Sequence, residues 1–182
     1  MDFNLIWKLV QRDTDISEHL LILFALVVGS NAKTIVEIGA GQSTFVLTTA
    51  ADITNGEFYS IDLTKQARER LFPEAPNLDL EPKYHFVGGN SIDTKDTSGV
   101  KWDKPIDFLF IDSGHTYDLT IGELKKFTPF VKPGGFVCMH DTGINNIVWA
   151  ECRKAMLDFS NNTNWEKKQL DNQNGLTILR KR

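Results

Sequence analysis

The chain has 182 residues, of which 41% are hydrophobic and 24% charged. This balance fits one globular domain with a full core and excludes a disordered chain. The formal net charge is −4, so the surface as a whole has no electrostatic preference for nucleic acid or for an anionic membrane.

Short β-rich apolar runs alternate with helical patterns along most of the chain. Two helical segments come first, at about 3–11 and 16–28, and Asp15 with Glu18 three residues later is expected to cap the second. Five strands are then predicted, at 34–39, 57–62, 83–88, 106–112 and 134–140. Helices are predicted among and after them, at about 43–51, 65–71, 117–131 and 146–159. This alternation predicts a parallel sheet with right-handed crossovers.

The C-terminal part of the chain breaks the alternation. Two strand-like runs, at 165–170 and 176–179, flank Asn174-Gly175, a dipeptide typical of hairpin turns. The sequence therefore predicts an α/β fold with a Rossmann-like, doubly wound, seven-stranded sheet that is mostly parallel and ends in an antiparallel hairpin. We expect a single domain over 1–182, in which helices within 1–30 cover the sheet or the mouth of the site and 31–182 form the core.

The strongest local signal is the run from Val36 to Thr44, where the first strand ends. Gly39 and Gly41 allow a tight turn and close approach of the backbone to a ligand at the start of the next helix. A dinucleotide fingerprint needs a third glycine where Thr44 stands. Glu37 would repel a pyrophosphate and suits a ligand with an ammonium or sulfonium charge, such as S-adenosylmethionine.

Polar residues also follow the second and third strands. Asp62 is placed to accept hydrogen bonds from ribose hydroxyls, although a helix cap is the alternative, and NAD carries the same ribose. Asn90 and Ser91 are placed to reach an adenine edge, but an ordinary turn uses the same residue types. These residues indicate a nucleoside without deciding which one.

These motifs stand in the order found in class I S-adenosylmethionine-dependent methyltransferases, which the chain resembles over about residues 30–182. The resemblance rests on Glu37–Gly41, Asp62, Asp112, Lys132–Gly135 and the terminal hairpin. Within that group, Phe110–Tyr117 and Pro133–Thr142 are similar to small-molecule O-methyltransferases, including macrolide-sugar and catechol-type enzymes. The resemblance implies that S-adenosylmethionine is bound by Glu37, Gly39, Ala40, Gly41, Ser43, Asp62, Asn90, Ser91 and Asp112. Ser43 departs from the family pattern, in which many members have a third glycine.

The same resemblance implies a catalytic pair and a metal. Asp112 and Asp141 would bind a divalent ion such as Mg²⁺ or Mn²⁺, and His115 would be the general base. Either a histidine or a metal can help to remove the proton of a hydroxyl near neutral pH. His140 stands where metal-dependent relatives usually carry an acid, and imidazole as a further ligand favours Mn²⁺ over Mg²⁺. The sequence leaves metal dependence open.

We therefore expect O-methylation of a hydroxyl on a small molecule such as a sugar or polyol. An NAD-linked oxidoreductase is the main alternative, which Glu37 and Thr44 disfavour. A non-catalytic nucleoside-binding protein is another, which the Asp112-x-x-His115 pair disfavours. Methylation of nucleic acid or protein also stays open, although Ser113-Gly114-His115 follows the fourth strand in place of an Asn/Asp-Pro-Pro-Tyr motif. We expect a cytoplasmic protein without nucleic-acid or membrane partners, and a homo-oligomer is compatible with the sequence. The N-terminal helices and the loop at 73–82 are the candidate lids.

Overall fold

The computed structural model describes residues 3–64, 82–161 and 164–182. The helix predicted at 65–71 and nearly all of the candidate lid at 73–82 lie outside the described residues. In the part that is described, one sheet contains β1 (Thr34–Ile38), β2 (Glu57–Asp62), β3 (Tyr84–Gly88), β4 (Ile106–Ile111), β5 (Val131–His140), β6 (Trp165–Leu170) and β7 (Leu176–Lys181).

The strand order is β3-β2-β1-β4-β5-β7-β6. The pairs among β1 to β5 are parallel, whereas β7 runs antiparallel to both β5 and β6. The order reverses between β1 and β4, and the carboxyl ends of these strands form the crevice in which open α/β sheets bind ligands. The predicted fold class is confirmed, including the antiparallel C-terminal hairpin.

Helices cover both faces of the sheet: α1 (Phe3–Val10), α2 (Ser17–Gly29), α3 (Gln42–Thr54), α4 (Tyr117–Phe127) and α5 (Ala150–Ser160). On one face, α1 to α3 pack in an apolar cluster that includes Ile35 and Phe108. On the other face, α4 and α5 pack in a cluster that includes Val36 and Leu109. Neighbouring residues of one strand thus enter opposite cores, which is why these strands are almost entirely apolar.

The predicted cap of α2 is wrong. Ile16 precedes the helix, and no side chain caps it. The backbone carbonyl of Asp15 instead accepts a hydrogen bond from His140 Nε2 at 3.0 Å. The segment before α2 is therefore shaped by its contact with the end of β5.

Two helices are shorter than the sequence predicts. The helix expected over 117–131 ends at Phe127, and Thr128–Phe130 form a 3₁₀ turn, because Pro129 has no amide hydrogen to continue the α-helix. The helix expected from 146 begins at Ala150. The side chain of Asn146 accepts a hydrogen bond from the Trp149 amide at 3.1 Å, which holds a turn there instead.

Cys138 and Cys152 are both buried free thiols. Within the described residues, every helix is too short or too polar to cross a bilayer.

Candidate active site

The two motif glycines after β1 differ in what they do. Gly39 has a φ of +92°, and a Cβ added to it would lie 1.9 Å from the backbone oxygen of Asp112. Glycine is therefore required there, because the turn after β1 packs directly on the loop after β4. Gly41 precedes α3 with a φ of −157°, and an added Cβ would meet only Ser43 Oγ, at 3.9 Å. Local packing leaves room for a side chain at Gly41.

Glu37 lies beneath this turn and is fully buried. One carboxyl oxygen accepts a hydrogen bond from Ser43 Oγ at 2.5 Å. The other accepts bonds from Thr44 Oγ1 at 2.7 Å and from Ser60 Oγ at 2.8 Å. Burial raises the pKa of Glu37 to about 8. This carboxyl group holds the start of α3, and its expected contact with a positively charged ligand stays a prediction.

A cavity of about 360 Å³ opens at the carboxyl ends of β1, β2 and β4, a volume typical of a small-molecule site. Six residues of the predicted cofactor set line it: Gly39, Ala40, Asp62, Asn90, Ser91 and Asp112. Glu37, Gly41 and Ser43 are not on its wall. Asp62 Oδ2 accepts a hydrogen bond from the Ala40 amide at 2.8 Å, so its carboxylate is fixed at the cavity wall.

A second buried glutamate, which the sequence did not reveal, lies at the other side of the cavity. Glu123 of α4 lines the cavity and is fully buried. Its Oε1 accepts a hydrogen bond from Ser91 Oγ at 2.5 Å, and both of its oxygens contact Ser113 Oγ, at 2.8 and 2.7 Å. Burial raises the pKa of Glu123 to about 7. The nearby Asn90 amide donates to Thr97 Oγ1, which ties the loop after β3 to itself.

Beside the cavity, the loops after β4 and β5 bring three potential metal ligands together. Asp112, His115 and Asp141 each offer one ligand atom, and these atoms all lie within 4.8 Å of one another. His115 Nε2 is 2.7 Å from Asp141 Oδ2. The His115 ring also stacks on Trp149, with centroids 3.9 Å apart and planes 25° from parallel. The histidine is thus held between a carboxylate and an indole.

His140 is oriented by neighbours on both sides. Its Nε2 contacts the Asp15 carbonyl, and its Nδ1 lies 3.5 Å from Asp112 Oδ1 and 3.4 Å from Asp141 Oδ1. Burial lowers its pKa, but the hydrogen bonds and charges of the two aspartates outweigh burial and raise it to about 10. His115 joins Asp112 and Asp141 as a candidate ligand that the sequence did not assign to the metal. His140, within 3.5 Å of both aspartates, stays a predicted ligand.

Asp141 has the features of a ligand to a cation. Burial raises its pKa, but hydrogen bonding and charge from His140 and His115 outweigh burial and hold the pKa below its usual value. Its backbone is left-handed, with a φ of +59°, a conformation that aspartate adopts more readily than most residues. Its Oδ1 is buried and makes a long contact of 3.4 Å with His140 Nδ1, with no closer hydrogen-bond partner among the described residues. An ionised oxygen with an open lone pair beside Asp112 and His115 fits a divalent ion with mixed oxygen and nitrogen ligands.

The family of the chain follows from a direct match. A family model described as a methyltransferase domain matches residues 36–142, which is more than half of the chain. The chain therefore belongs to this methyltransferase family and is an S-adenosylmethionine-dependent enzyme, as the motif order predicted. No curated protein sequence matches significantly.

Solved structures share the fold at low sequence identity. An S-adenosylhomocysteine-bound methyltransferase of Podospora anserina, PaMTH1, is 14% identical with a TM-score of 0.68, covering 97% of this chain and 86% of its own. An O-methyltransferase of Bacillus cereus in complex with S-adenosylhomocysteine is 16% identical with a TM-score of 0.67, covering 90% and 81%. CalS11, a TDP-rhamnose 3′-O-methyltransferase of calicheamicin biosynthesis, is 15% identical with a TM-score of 0.62, covering 90% and 78%.

Proposed function

We propose that this enzyme methylates a hydroxyl group of a small molecule, and that His115 removes the proton of that hydroxyl. The observation that carries the proposal is the 2.7 Å contact of His115 Nε2 with Asp141 Oδ2, next to Asp112 on the cavity wall. S-adenosylmethionine supplies an activated methyl group, so the protein has to position an oxygen nucleophile and take its proton.

In this proposal the cavity holds the nucleoside. Asp62 accepts hydrogen bonds from the ribose hydroxyls, because its carboxylate is fixed by the Ala40 amide and faces the cavity. Asn90 and Ser91 lie against the adenine edge, at the end of the cavity lined by Glu123. The methyl end of the ligand then faces Asp112, which also borders the cavity. Glu37 acts on binding indirectly, through the start of α3.

His115 is arranged as a general base. Asp141 accepts the Nε2 hydrogen of His115, which leaves the lone pair of Nδ1 for the proton of the substrate. Stacking on Trp149 fixes the plane of the ring. The orientation of an imidazole by a buried carboxylate resembles that in hydrolase triads, where the carboxylate sets the tautomer.

A second arrangement is supported by the buried Oδ1 of Asp141, whose contact with His140 Nδ1 is long, at 3.4 Å. In it, Asp112, Asp141 and His115 hold a divalent ion, which would lower the pKa of the acceptor hydroxyl. His115 cannot use Nε2 for both an ion and Asp141, so the two arrangements are distinct. The mixed ligands favour Mn²⁺ over Mg²⁺.

The acceptor site lies beside the loop after β5. Trp149 offers a ring next to His115, and three apolar side chains nearby are exposed: Ile144 (58%), Ile147 (87%) and Val148 (69%). This surface suits an acceptor that presents a hydroxyl to His115 and a less polar part to the loop, such as a deoxysugar or a substituted sugar. The named substrate of CalS11, a TDP-linked deoxysugar, agrees with that class.

The N-terminal segment also borders this end of the site, through the contact of the Asp15 carbonyl with His140. This contact supports the proposal that residues 1–30 form one domain with the core and cover the mouth of the site.

The experiment is transfer of a labelled methyl group from S-adenosylmethionine to panels of sugars, polyols, catechols, amines and thiols. We expect labelled products only from hydroxyl compounds. Products formed only from amines or thiols would rule out O-methylation.

Metal binding is tested without turnover, by calorimetric titration of the protein with Mn²⁺. Binding that is lost in Asp141→Asn and kept in Asp118→Asn supports the metal arrangement, because Asp118 lies on α4 outside the ligand group. No Mn²⁺ binding, together with full methyl transfer in excess chelator, leaves His115 as the base and removes the metal from the proposal.

A further inference from the structure

The cavity contains a buried acid that none of the proposed steps uses. Glu123 is fully buried, lines the cavity, and contacts Ser91 of the loop after β3 and Ser113 of the loop after β4. Both serines line the same cavity. The two hydroxyl groups meet on one carboxyl oxygen, Oε1, at 2.5 and 2.8 Å. Through this one oxygen, the carboxyl group of Glu123 holds the loop after β3 and the loop after β4 together.

The direction of these hydrogen bonds decides what the serines present to a ligand. An ionised carboxylate only accepts hydrogen bonds, and a serine hydroxyl has one hydrogen to donate. Ser91 and Ser113 each donate that hydrogen to Glu123. Each has only oxygen lone pairs left for the cavity. These two hydroxyl groups can accept hydrogen bonds from a ligand and have no hydrogen left to donate.

We propose that Glu123 is a positioning residue that selects adenine over 6-oxopurines, by orienting Ser91 and Ser113 as paired acceptors for the exocyclic amino group. A 6-oxopurine places a carbonyl oxygen against the same two oxygens, and neither serine has a hydrogen left to give it. The proposal rests on the placement of the nucleoside described above, with the base between the loops after β3 and β4.

A substitution of Glu123 that keeps the shape but changes the hydrogen bonds distinguishes this role from ordinary packing. An amide at this position has nearly the same shape, but its nitrogen must donate a hydrogen bond to one serine. That serine then turns its own hydrogen toward the cavity and becomes a donor there. Selectivity between bases thus depends on the carboxylate and not on the volume it fills.

The test measures the affinities of S-adenosylhomocysteine and its 6-oxo analogue, S-inosylhomocysteine, by calorimetry at pH 8. We expect the wild-type protein to prefer the adenine ligand by at least about tenfold, as one well-formed hydrogen bond allows. Glu123→Gln should remove most of that preference. Ser91→Ala and Ser113→Ala should each reduce it, since each removes one acceptor, and they test the same geometry if Glu123→Gln fails to fold.

Glu37→Gln is the matched control. Glu37 is also fully buried and bonded to hydroxyl groups, but it is not on the cavity wall. Its substitution should keep the ratio of the two affinities, even where both affinities fall. An unchanged ratio in Glu123→Gln, or equal wild-type affinity for both ligands, overturns the role of Glu123 but leaves the placement of the nucleoside intact. A wild-type protein that binds neither ligand overturns the placement of the nucleoside as well.

Discussion

The two ends of the cleft bury carboxyl groups in contrasting ways. At the proposed nucleoside end, Glu37 and Glu123 are surrounded by serine and threonine hydroxyls, which are neutral, so burial prevails and raises their pKa values to about 8 and 7. At the transfer end, imidazoles flank Asp141 and outweigh burial, so its pKa is lowered. The same kind of residue is therefore an acid that can become neutral near pH 7 at one end, and a fixed negative charge at the other. Of these carboxyl groups, only the ionised Asp141 carries the negative charge that can bind a cation or stabilise a histidine that takes up a proton.

The largest effect should come from the transfer end. His115→Asn removes the proposed base, and we expect turnover to fall by roughly 10²–10⁴, the usual contribution of a positioned base. Cofactor affinity should hardly change, because the ring is needed mainly in the transition state. His85→Asn is the control, since His85 pairs with Glu57 at the β2–β3 edge and is not on the cavity wall. Near-normal turnover of His115→Asn would remove His115 from the mechanism.

The next largest effect should come from a substitution at Gly39, where the turn after β1 packs on the loop after β4. Gly39→Ala drives a Cβ into the backbone oxygen of Asp112 at a positive φ, and we expect it to lower the free energy of unfolding by about 3 kcal/mol or more. Gly41→Ala meets no such contact and should cost less than about 1 kcal/mol. Urea unfolding of both variants measures the difference. Equal losses would mean that the close approach at Gly39 is not what makes glycine necessary.

At the nucleoside end, Asp62→Ala should weaken S-adenosylmethionine binding by roughly 1.5–3 kcal/mol, because the ribose hydroxyls lose a charged acceptor. Calorimetry on the folded variant measures the loss. Asp52→Ala, at an exposed position on α3, should leave the affinity unchanged. Unchanged affinity in Asp62→Ala would exclude the ribose contact.

The most gradual effect, spread over several pH units, is a difference in pH dependence between the two ends. Because the folded-state pKa values of Glu37 and Glu123 are raised, the folded protein holds protons that the unfolded chain releases from about pH 5 upward. Their contribution to stability therefore falls as pH rises through this range, up to about pH 8, by at most roughly 1.4 kcal/mol per pH unit for each group. Asp141 has the opposite sign, since its lowered pKa contributes stability that is lost as pH falls into the acid range.

Urea unfolding at pH 5, 6, 7 and 8 tests this difference. The wild type should lose stability toward pH 8 relative to the double variant Glu37→Gln/Glu123→Gln, which cannot release those protons. Parallel curves for the two proteins would show that the buried glutamates are not protonated in the folded state.

The fold was predictable because its signals are local and periodic. Apolar strands alternate with helices, and Asn174-Gly175 marks the hairpin that pairs β6 with β7. Helix ends were less predictable, since Pro129 and the side chain of Asn146 act through single bonds that the apolar pattern does not contain.

The site was predictable only where strand ends determine it. Asp62, Asp112 and Asp141 follow strands, so topology alone brings them to one edge of the sheet. Glu123 lies within a helix whose other charged residues are mostly solvated, and its partners Ser91 and Ser113 are distant in sequence. The hydrogen bonds of Glu123, like those of Glu37, depend on side-chain packing between elements.

The contact of the Asp15 carbonyl with His140 has a consequence for the order in which the molecule is assembled. It spans 125 residues, and the same segment bonds to the terminal hairpin through Glu18 with Gln173 and His19 with Asn172. Closing such long loops is entropically costly and comes late in folding. During synthesis, the segment around Asp15 has to wait for β5 and for the turn between β6 and β7 before it can make these contacts. Residues 15–19 thus stay without these partners while more than a hundred further residues are made.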